Sequence, residues 1–206
     1  MSPEEYDELL DALDNEDIDT IALKFKENNI EPFTNLEDAP RIGHNNNELC
    51  TYLDYAISYS LNCVLDLFID EFHLEIDDNI MANAINLQNI DTFKYLCSIG
   101  YIPQTECLCV AVRMCHSDIV DEILENDPDL IEYIDEDDIE YLFSFDMDEE
   151  TIETIRVLFN NKINPSLFSK FLVHLKDPNS DYFTISDEEK DLAIEIIDFL
   201  ENNNVT

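Results

Sequence analysis

Glycine is scarce in this sequence, with only Gly43 and Gly100 among its 206 residues. Walker loops, dinucleotide-binding fingerprints and nucleophile elbows each need two or more glycines within a few residues, because their backbone must turn tightly or approach a ligand closely. Neither glycine here has a second one nearby. The sequence therefore excludes chemistry that depends on any of these three motifs.

Basic residues are scarce as well. Ten Lys and Arg oppose 49 Asp and Glu, which gives a formal net charge of −39 at pH 7. A chain this acidic repels phosphate groups and anionic lipid headgroups, so we expect no direct nucleic-acid binding and no membrane binding. Solubility is the simplest interpretation of the charge, but ordinary soluble surfaces mix both signs. A basic protein is the partner that the charge favours.

Long apolar runs are also missing. No segment approaches the length of a membrane span, and the first residues have neither the basic nor the apolar part of a signal peptide. We therefore expect a cytoplasmic or nuclear protein whose six cysteines are reduced thiols.

Helical periodicity dominates what is present. Between Leu61 and Ile69, for example, the apolar residues stand at positions 61, 64, 65, 68 and 69, which is one stripe of an α-helix. No segment shows the sustained alternation of a β-strand. With 45% apolar residues, the pattern predicts an all-α fold with a substantial core.

The stripes recur with a period of 28 and then 27 residues. Each central unit has an apolar anchor in its second helix and an alanine nine residues earlier, in its first helix. The residues predicted to pack the repeats are the anchors Leu65, Phe93, Val120 and Ile155 and the alanines Ala12, Ala56, Ala84 and Ala111. A small residue lets the second helix approach the first, and the units must stack because one unit cannot bury its apolar face alone.

One unit resembles an ankyrin repeat. His116, Ile119, Val120, Ile123, Leu124 and Asp129 fall where the second half of that repeat has His, Ile-Val, Leu-Leu and Asp, and Gly100 falls at the glycine that closes the second helix. Thr51, Leu53 and Ala56 match the opening of its first helix. The chain thus resembles degenerate ankyrin-repeat proteins of the kind encoded by large DNA viruses. The resemblance implies stacked antiparallel helix pairs, a protein-binding role and a location inside a cell, such as the host cell of a virus.

We interpret residues 1–206 as a single ankyrin-like helical-repeat domain, clearest over 50–130, with 166–206 as a C-terminal capping helix pair. The Thr-Pro-Leu-His sequence of the family is nowhere intact, and Ser60, Gln88 and Cys115 stand at the positions of repeat glycines. The units are shorter than the usual repeat of about 33 residues. We therefore expect a short solenoid with clipped hairpin loops.

The cysteines offer one candidate constellation, Cys107, Cys109, Cys115 and His116. Its spacing fits no standard zinc pattern, and residues two apart on a helix face different directions. A catalytic pair of Cys115 and His116 is formally possible, but adjacent residues face each other poorly and an acidic surrounding raises a thiol pKa. Core packing is the favoured interpretation, so we predict no metal site, no cofactor and no catalytic residue.

The interval between Arg113 and Arg156 holds 17 acidic residues and no Lys or Arg. Its two densest runs are predicted to form a partner-binding acidic face: Asp135, Glu136, Asp137 and Asp138, then Asp146, Asp148, Glu149 and Glu150. The main hypothesis is a non-enzymatic protein–protein interaction module that docks a basic protein. The alternative is an inhibitor that mimics nucleic acid, since rows of carboxylates can approach phosphate spacing. An enzyme of another kind would need a pocket with strongly perturbed pKa values.

Overall fold

The fold is seen in a computed structural model that describes residues 1–36, 50–144, 147–177 and 189–205. These residues form α-helices and short 3-10 helices but no β-strand, with one isolated β-bridge between Asn35 and Thr51. The predicted all-α class is confirmed. No helix among the described residues is long and apolar enough to cross a membrane. The chain groups into two compact units, residues 1–102 and 103–206, while a single domain and a solenoid stay predictions.

The first unit consists of three neighbouring helix pairs. Its helices are α1 (Pro3–Asp14), α2 (Ile18–Asn28), α3 (Tyr52–Ser58), α4 (Asn62–Asp70), α5 (Asp78–Asn86) and α6 (Ile90–Ser98). The helices pack as α1 with α2, α3 with α4, and α5 with α6. Between pairs, α2 contacts α4 and α3 contacts α5. First helices thus meet first helices, and second helices meet second helices.

The second unit is also helical, but its helices do not all pack as consecutive pairs. Its helices are α7 (Thr105–Arg113), α8 (Ser117–Asn126), α9 (Glu136–Leu142), α10 (Glu149–Asn160), α11 (Ser169–Lys176) and α12 (Lys190–Asn202). Two 3-10 helices, Pro128–Tyr133 and Pro165–Phe168, precede α9 and α11. The row α8, α10 and α12 is in contact throughout, and α7 also contacts α9. The helices α11 and α12 pack together in the stretch for which we expected a capping pair.

Many helices begin at a side chain that caps their first turn. In α1, the Ser2 hydroxyl accepts from the Glu5 backbone N–H at 3.3 Å while the Glu5 carboxylate accepts from the Ser2 N–H at 2.7 Å. Thr51 and Asp54 form the same reciprocal box at the start of α3. Such boxes satisfy backbone donors that a helix N-terminus leaves unpaired, so the helix starts follow from local sequence.

The turn inside four of the pairs is made by the same backbone hydrogen bond. In each, the carbonyl of the first-helix alanine accepts from the N–H five residues later. The donors and acceptors are Asp17 to Ala12 at 2.8 Å, and Leu61 to Ala56, Asn89 to Ala84 and His116 to Ala111, each at 2.9 Å. This bond closes the first helix as a Schellman-type cap does, so the chain reverses within a few residues.

A left-handed residue lies inside each of these four turns. The residues are Glu16 (φ 50°), Ser60 (φ 54°), Gln88 (φ 59°) and Cys115 (φ 55°), each four positions after the alanine. The last three are the positions that the family resemblance assigns to missing glycines. Only glycine adopts this backbone region without a steric cost, so the degenerate sequence places side chains where the turn disfavours them.

The residues predicted to pack the repeats lie in the core. Ala12 is 5% exposed, and the other seven are fully buried: Ala56, Ala84, Ala111, Leu65, Phe93, Val120 and Ile155. An aromatic cluster in the first unit adds to this core, with the Phe25 ring 5.0 Å from that of Tyr52 and 5.4 Å from that of Phe68, centroid to centroid. Burial of these apolar side chains is the main favourable term of the fold.

Asn89 joins the second helix pair to the third. Its Nδ2 donates to the carbonyls of Ile57 at 2.6 Å and Ser58 at 3.1 Å, while its Oδ1 accepts from the Thr92 N–H at 3.0 Å. The Thr92 hydroxyl donates to the Ile57 carbonyl at 3.2 Å. One side chain therefore caps α6 and also satisfies the C-terminal carbonyls of α3, which holds neighbouring pairs in register.

We predict that Gln88→Gly stabilises the protein by about 1 kcal/mol, because glycine removes the cost of a left-handed residue while the exposed Gln88 side chain loses no packing. Urea unfolding followed by far-UV circular dichroism measures the change. The matched control is Glu122→Gly, at an exposed position inside α8, which should lose about 1 kcal/mol. Destabilisation by both changes would contradict the proposed strain at the turn.

Candidate functional site

The predicted acidic face falls at the starts of two helices in the second unit. Asp135 precedes α9, and Glu136 to Asp138 lie in its first turn. Likewise, Asp148 precedes α10, and Glu149 and Glu150 lie in its first turn. Asp146 lies outside the described residues. Carboxylates at helix N-termini interact favourably with the helix dipole, so part of this acidity has a structural use.

Three of these carboxylates bond to the protein's own backbone. The Asp135 carboxylate accepts from the N–H groups of Asp137 at 2.9 Å and Asp138 at 3.1 Å. In turn, the Asp138 carboxylate accepts from the Asp135 N–H at 3.1 Å. At α10, Asp148 accepts from the Thr151 N–H at 3.0 Å. These groups fix where the two helices begin.

Asp138 is buried, with 1% of its surface exposed. Its Oδ1 accepts from Arg113 Nε at 2.7 Å, and Arg113 reaches it from the end of α7. The ion pair therefore ties the neighbouring helices α7 and α9 together. A buried and paired carboxylate cannot take part in an exposed acidic face. We therefore remove Asp138 from the residues predicted to bind a partner.

Two further acids of the predicted face contact neighbouring side chains. Glu136 lies 3.9 Å from Lys170 Nζ, and Glu140, one turn along α9, lies 3.2 Å from it. Glu150 accepts from the Ser117 hydroxyl at 2.8 Å. Asp137 and Glu149 are exposed, so they are the members of the predicted face best placed to meet a partner.

The cysteines of the candidate constellation lie in and just after α7. Cys107 and Cys109 are buried in α7, and Cys115 lies in the turn that follows it. Burial and the nearby Asp138 together raise the pKa of Cys109 to about 12, and burial raises the pKa of Cys115 to about 11. Burial also lowers the pKa of His116. In the described part of the chain, no group of three or more His, Cys, Asp and Glu is arranged to hold a metal ion.

A second candidate site lies in the first unit, where a groove of about 660 Å³ opens between α1, the end of α2 and α3. Four of the nine tyrosines in the sequence line it: Tyr6, Tyr52, Tyr55 and Tyr59. Two exposed carboxylates of α1, Asp7 and Asp14, line the same groove. We call this the tyrosine groove. Tyrosines of this kind often line protein-binding surfaces, since their rings offer large contact area and a polar tip.

The tyrosine groove is held in shape by contacts between its own members. The Tyr55 hydroxyl donates to Asp14 Oδ1 at 2.5 Å, which joins α3 to α1. The rings of Tyr55 and Tyr59 lie 4.6 Å apart, centroid to centroid, and 55% of the Tyr59 surface is exposed. Burial and the bond to Asp14 raise the pKa of Tyr55 well above its ordinary value. The hydroxyl therefore stays protonated and keeps donating at neutral pH.

Sequence reasoning missed the tyrosine groove, although one signal was present. Tyr52, Tyr55 and Tyr59 follow the spacing of one helical stripe. That stripe by itself is typical of core packing, and Tyr52 is indeed only 2% exposed. The groove forms only because α1, with Tyr6, Asp7 and Asp14, lies beside α3.

The chain matches no family model, no curated protein and no solved structure in the comparisons made with each. The site must therefore be interpreted from its own residues.

We predict that Asp138→Ala destabilises the protein by about 2–3 kcal/mol, because it leaves Arg113 without its buried partner and removes one half of a capping box. The estimate lies below the usual cost for a fully buried pair because Arg113 is partly exposed. Thermal and urea unfolding measure it. The neighbouring Asp137→Ala is the control and should cost no more than about 0.5 kcal/mol. Equal losses would contradict the structural role of Asp138.

We also predict that iodoacetamide at pH 8 alkylates Cys63 well before Cys109 and Cys115. Cys63 is exposed, so reagent can reach it, although a hydrogen bond from its thiol to the Glu16 carboxylate raises its pKa. The other two thiols are shielded and stay protonated at this pH. Peptide mass spectrometry over a time course gives the three rates. Alkylation of Cys109 as fast as Cys63 would show that α7 is not packed as described.

Proposed function

We propose that this chain is a non-enzymatic protein–protein interaction module, built as a short ankyrin-like solenoid whose acidic surface docks a basic protein. The repeat architecture is supported by the turn that recurs at Ala12, Ala56, Ala84 and Ala111, with the same hydrogen bond and a left-handed residue each time. It is also supported by the contact of α2 with α4 in the first unit and by the contacts along α8, α10 and α12 in the second. Repeat arrays of this kind commonly present extended binding surfaces.

The proposal that the acidic surface docks a basic protein rests on one observation: most of the few basic residues are already paired with acids of the same chain. Ten Lys and Arg are present in the whole sequence, and six of them form ion pairs with the protein's own acids: Lys24, Lys26, Arg113, Arg156, Lys170 and Lys176. These six basic side chains therefore already have acidic partners within the chain. Most of the 49 acids have no positive partner available within the chain, so they are available to a basic protein.

Uncompensated charge of this size acts first on the rate of encounter. A strongly negative surface attracts a positively charged protein from solution and speeds association, and the effect weakens as salt screens the charges. Specific contacts then decide which basic protein stays bound. In this proposal the exposed acids Asp137 and Glu149 are part of the attracting surface.

We expect affinity capture from native lysate at low salt to enrich basic proteins, and capture at high salt to release most of them. Mass spectrometry of the retained proteins gives the distribution of isoelectric points at each salt concentration. Retained proteins with no excess of basic members would overturn the acidic half of the proposal. If duplex DNA displaces the captured partner in a salt-dependent way, nucleic-acid mimicry replaces simple docking.

A matched pair of variants locates the surface. Asp137→Asn with Glu149→Gln removes two exposed charges of the predicted acidic face, while Asp19→Asn with Asp91→Asn removes two exposed first-turn charges elsewhere. The two chains then have the same net charge. The proposal predicts weaker capture by the first variant than by the second. Equal capture by both would mean that only the overall charge matters.

A further inference from the structure

The tyrosine groove combines aromatic rings with two carboxylates, and the amino group of Met1 is the one positive group among its described lining residues. None of its described lining residues is a Lys or Arg, and two of them, Asp7 and Asp14, are acidic. The face of an aromatic ring attracts a cation, and a carboxylate nearby adds a charged hydrogen-bond acceptor. With two carboxylates against one amino group, the described lining has a net negative charge, which favours a positively charged side chain.

The polar groups favour arginine over lysine. Asp14 accepts from Tyr55 through Oδ1, which fixes the carboxylate and leaves Oδ2 for another donor. A guanidinium group is flat, so it can stack on an exposed ring such as that of Tyr59 while its N–H groups bond a carboxylate. A lysine ammonium is a compact and strongly hydrated charge that loses more on leaving water. Tyr55 is a positioning residue in this arrangement, since it acts through Asp14.

The spacing of the carboxylates sets the spacing of the ligand. Asp7 and Asp14 lie on the same helix, α1, seven residues apart, which corresponds to about 10 Å along its axis. A peptide in the polyproline II conformation advances about 3.1 Å per residue and has three residues per turn, so side chains three residues apart lie on the same face about 9 Å apart. Two arginines at that spacing would each reach one carboxylate.

We propose that the tyrosine groove binds a segment of the basic partner in the polyproline II conformation. This segment has two arginines three residues apart, one at Asp14 beside Tyr55 and Tyr59 and the other at Asp7. This inference rests on the proposed function and gives the partner a specific chemistry. The groove lies on α1 and α3, which are first helices of their pairs. It also lies in the first unit, whereas the acidic face of α9 and α10 is in the second.

The test is a titration of the full-length ¹⁵N-labelled chain with the peptide acetyl-Ala-Arg-Ala-Ala-Arg-Ala-amide, followed by NMR. We expect the shifted amides to concentrate in α1 and α3. Asp7→Asn and Tyr59→Ala should each weaken binding about fivefold, since each removes one charged or aromatic contact at an exposed position. Asp19→Asn is the matched control, because it removes the same charge from an exposed site outside the groove. Its affinity should stay within about twofold of the wild type.

Further peptides test the arginine assignment. A peptide with both arginines changed to lysine should bind more weakly, and a trimethyllysine peptide no better than the lysine one. Tighter binding of either would overturn the assignment to arginine. Equal affinity of wild type, Asp7→Asn and Tyr59→Ala for the arginine peptide would overturn the groove as the site.

The groove and the proposed function can fail separately. If the groove variants lose no peptide affinity while the full chain still captures basic proteins at low salt, only the groove is wrong. If the chain captures no excess of basic proteins, the proposed function is wrong whatever the peptide does. The NMR spectra of the variants also report directly whether each one keeps its fold.

Discussion

Four of the helix pairs share one backbone hydrogen bond, in which the carbonyl of a first-helix alanine accepts from the N–H five residues later. The bond closes the first helix and reverses the chain, while a left-handed residue makes the reversal tight. A residue larger than alanine would hold the second helix away, and these alanines are at most 5% exposed. Once the turn is formed, the anchor of the second helix, such as Phe93 or Val120, faces the core.

The same architecture explains how a chain with a net charge of −39 can fold. Acids are placed where the backbone can use them, at helix N-termini such as those capped by Asp135 and Asp148. The few basic residues hold elements together, as Arg113 does when it reaches Asp138. What remains outside is a negative surface without internal compensation. That remainder supports the proposal that the missing positive charge belongs to a partner.

The features of the fold that could be predicted from the sequence are those set by residues close together in the chain. The ankyrin resemblance assigns Ser60, Gln88 and Cys115 to the positions of repeat glycines, and all three adopt the left-handed backbone region. Contacts between distant residues were out of reach. The burial of Asp138 depends on an arginine 25 residues away, and a lone aspartate in an acidic run is normally a solvated one. The tyrosine groove likewise needs Tyr55 and Asp14, which are 41 residues apart.

The turn itself can be tested residue by residue through native-state amide hydrogen exchange measured by NMR. The four N–H groups that donate to the alanine carbonyls belong to Asp17, Leu61, Asn89 and His116. If the turns organise the helix pairs, these four amides should exchange at least about 1000-fold more slowly than in an unstructured chain. Their exchange should then occur only when a helix pair opens. Exchange of these amides at the unstructured rate, with the helix interiors still protected, would contradict the account.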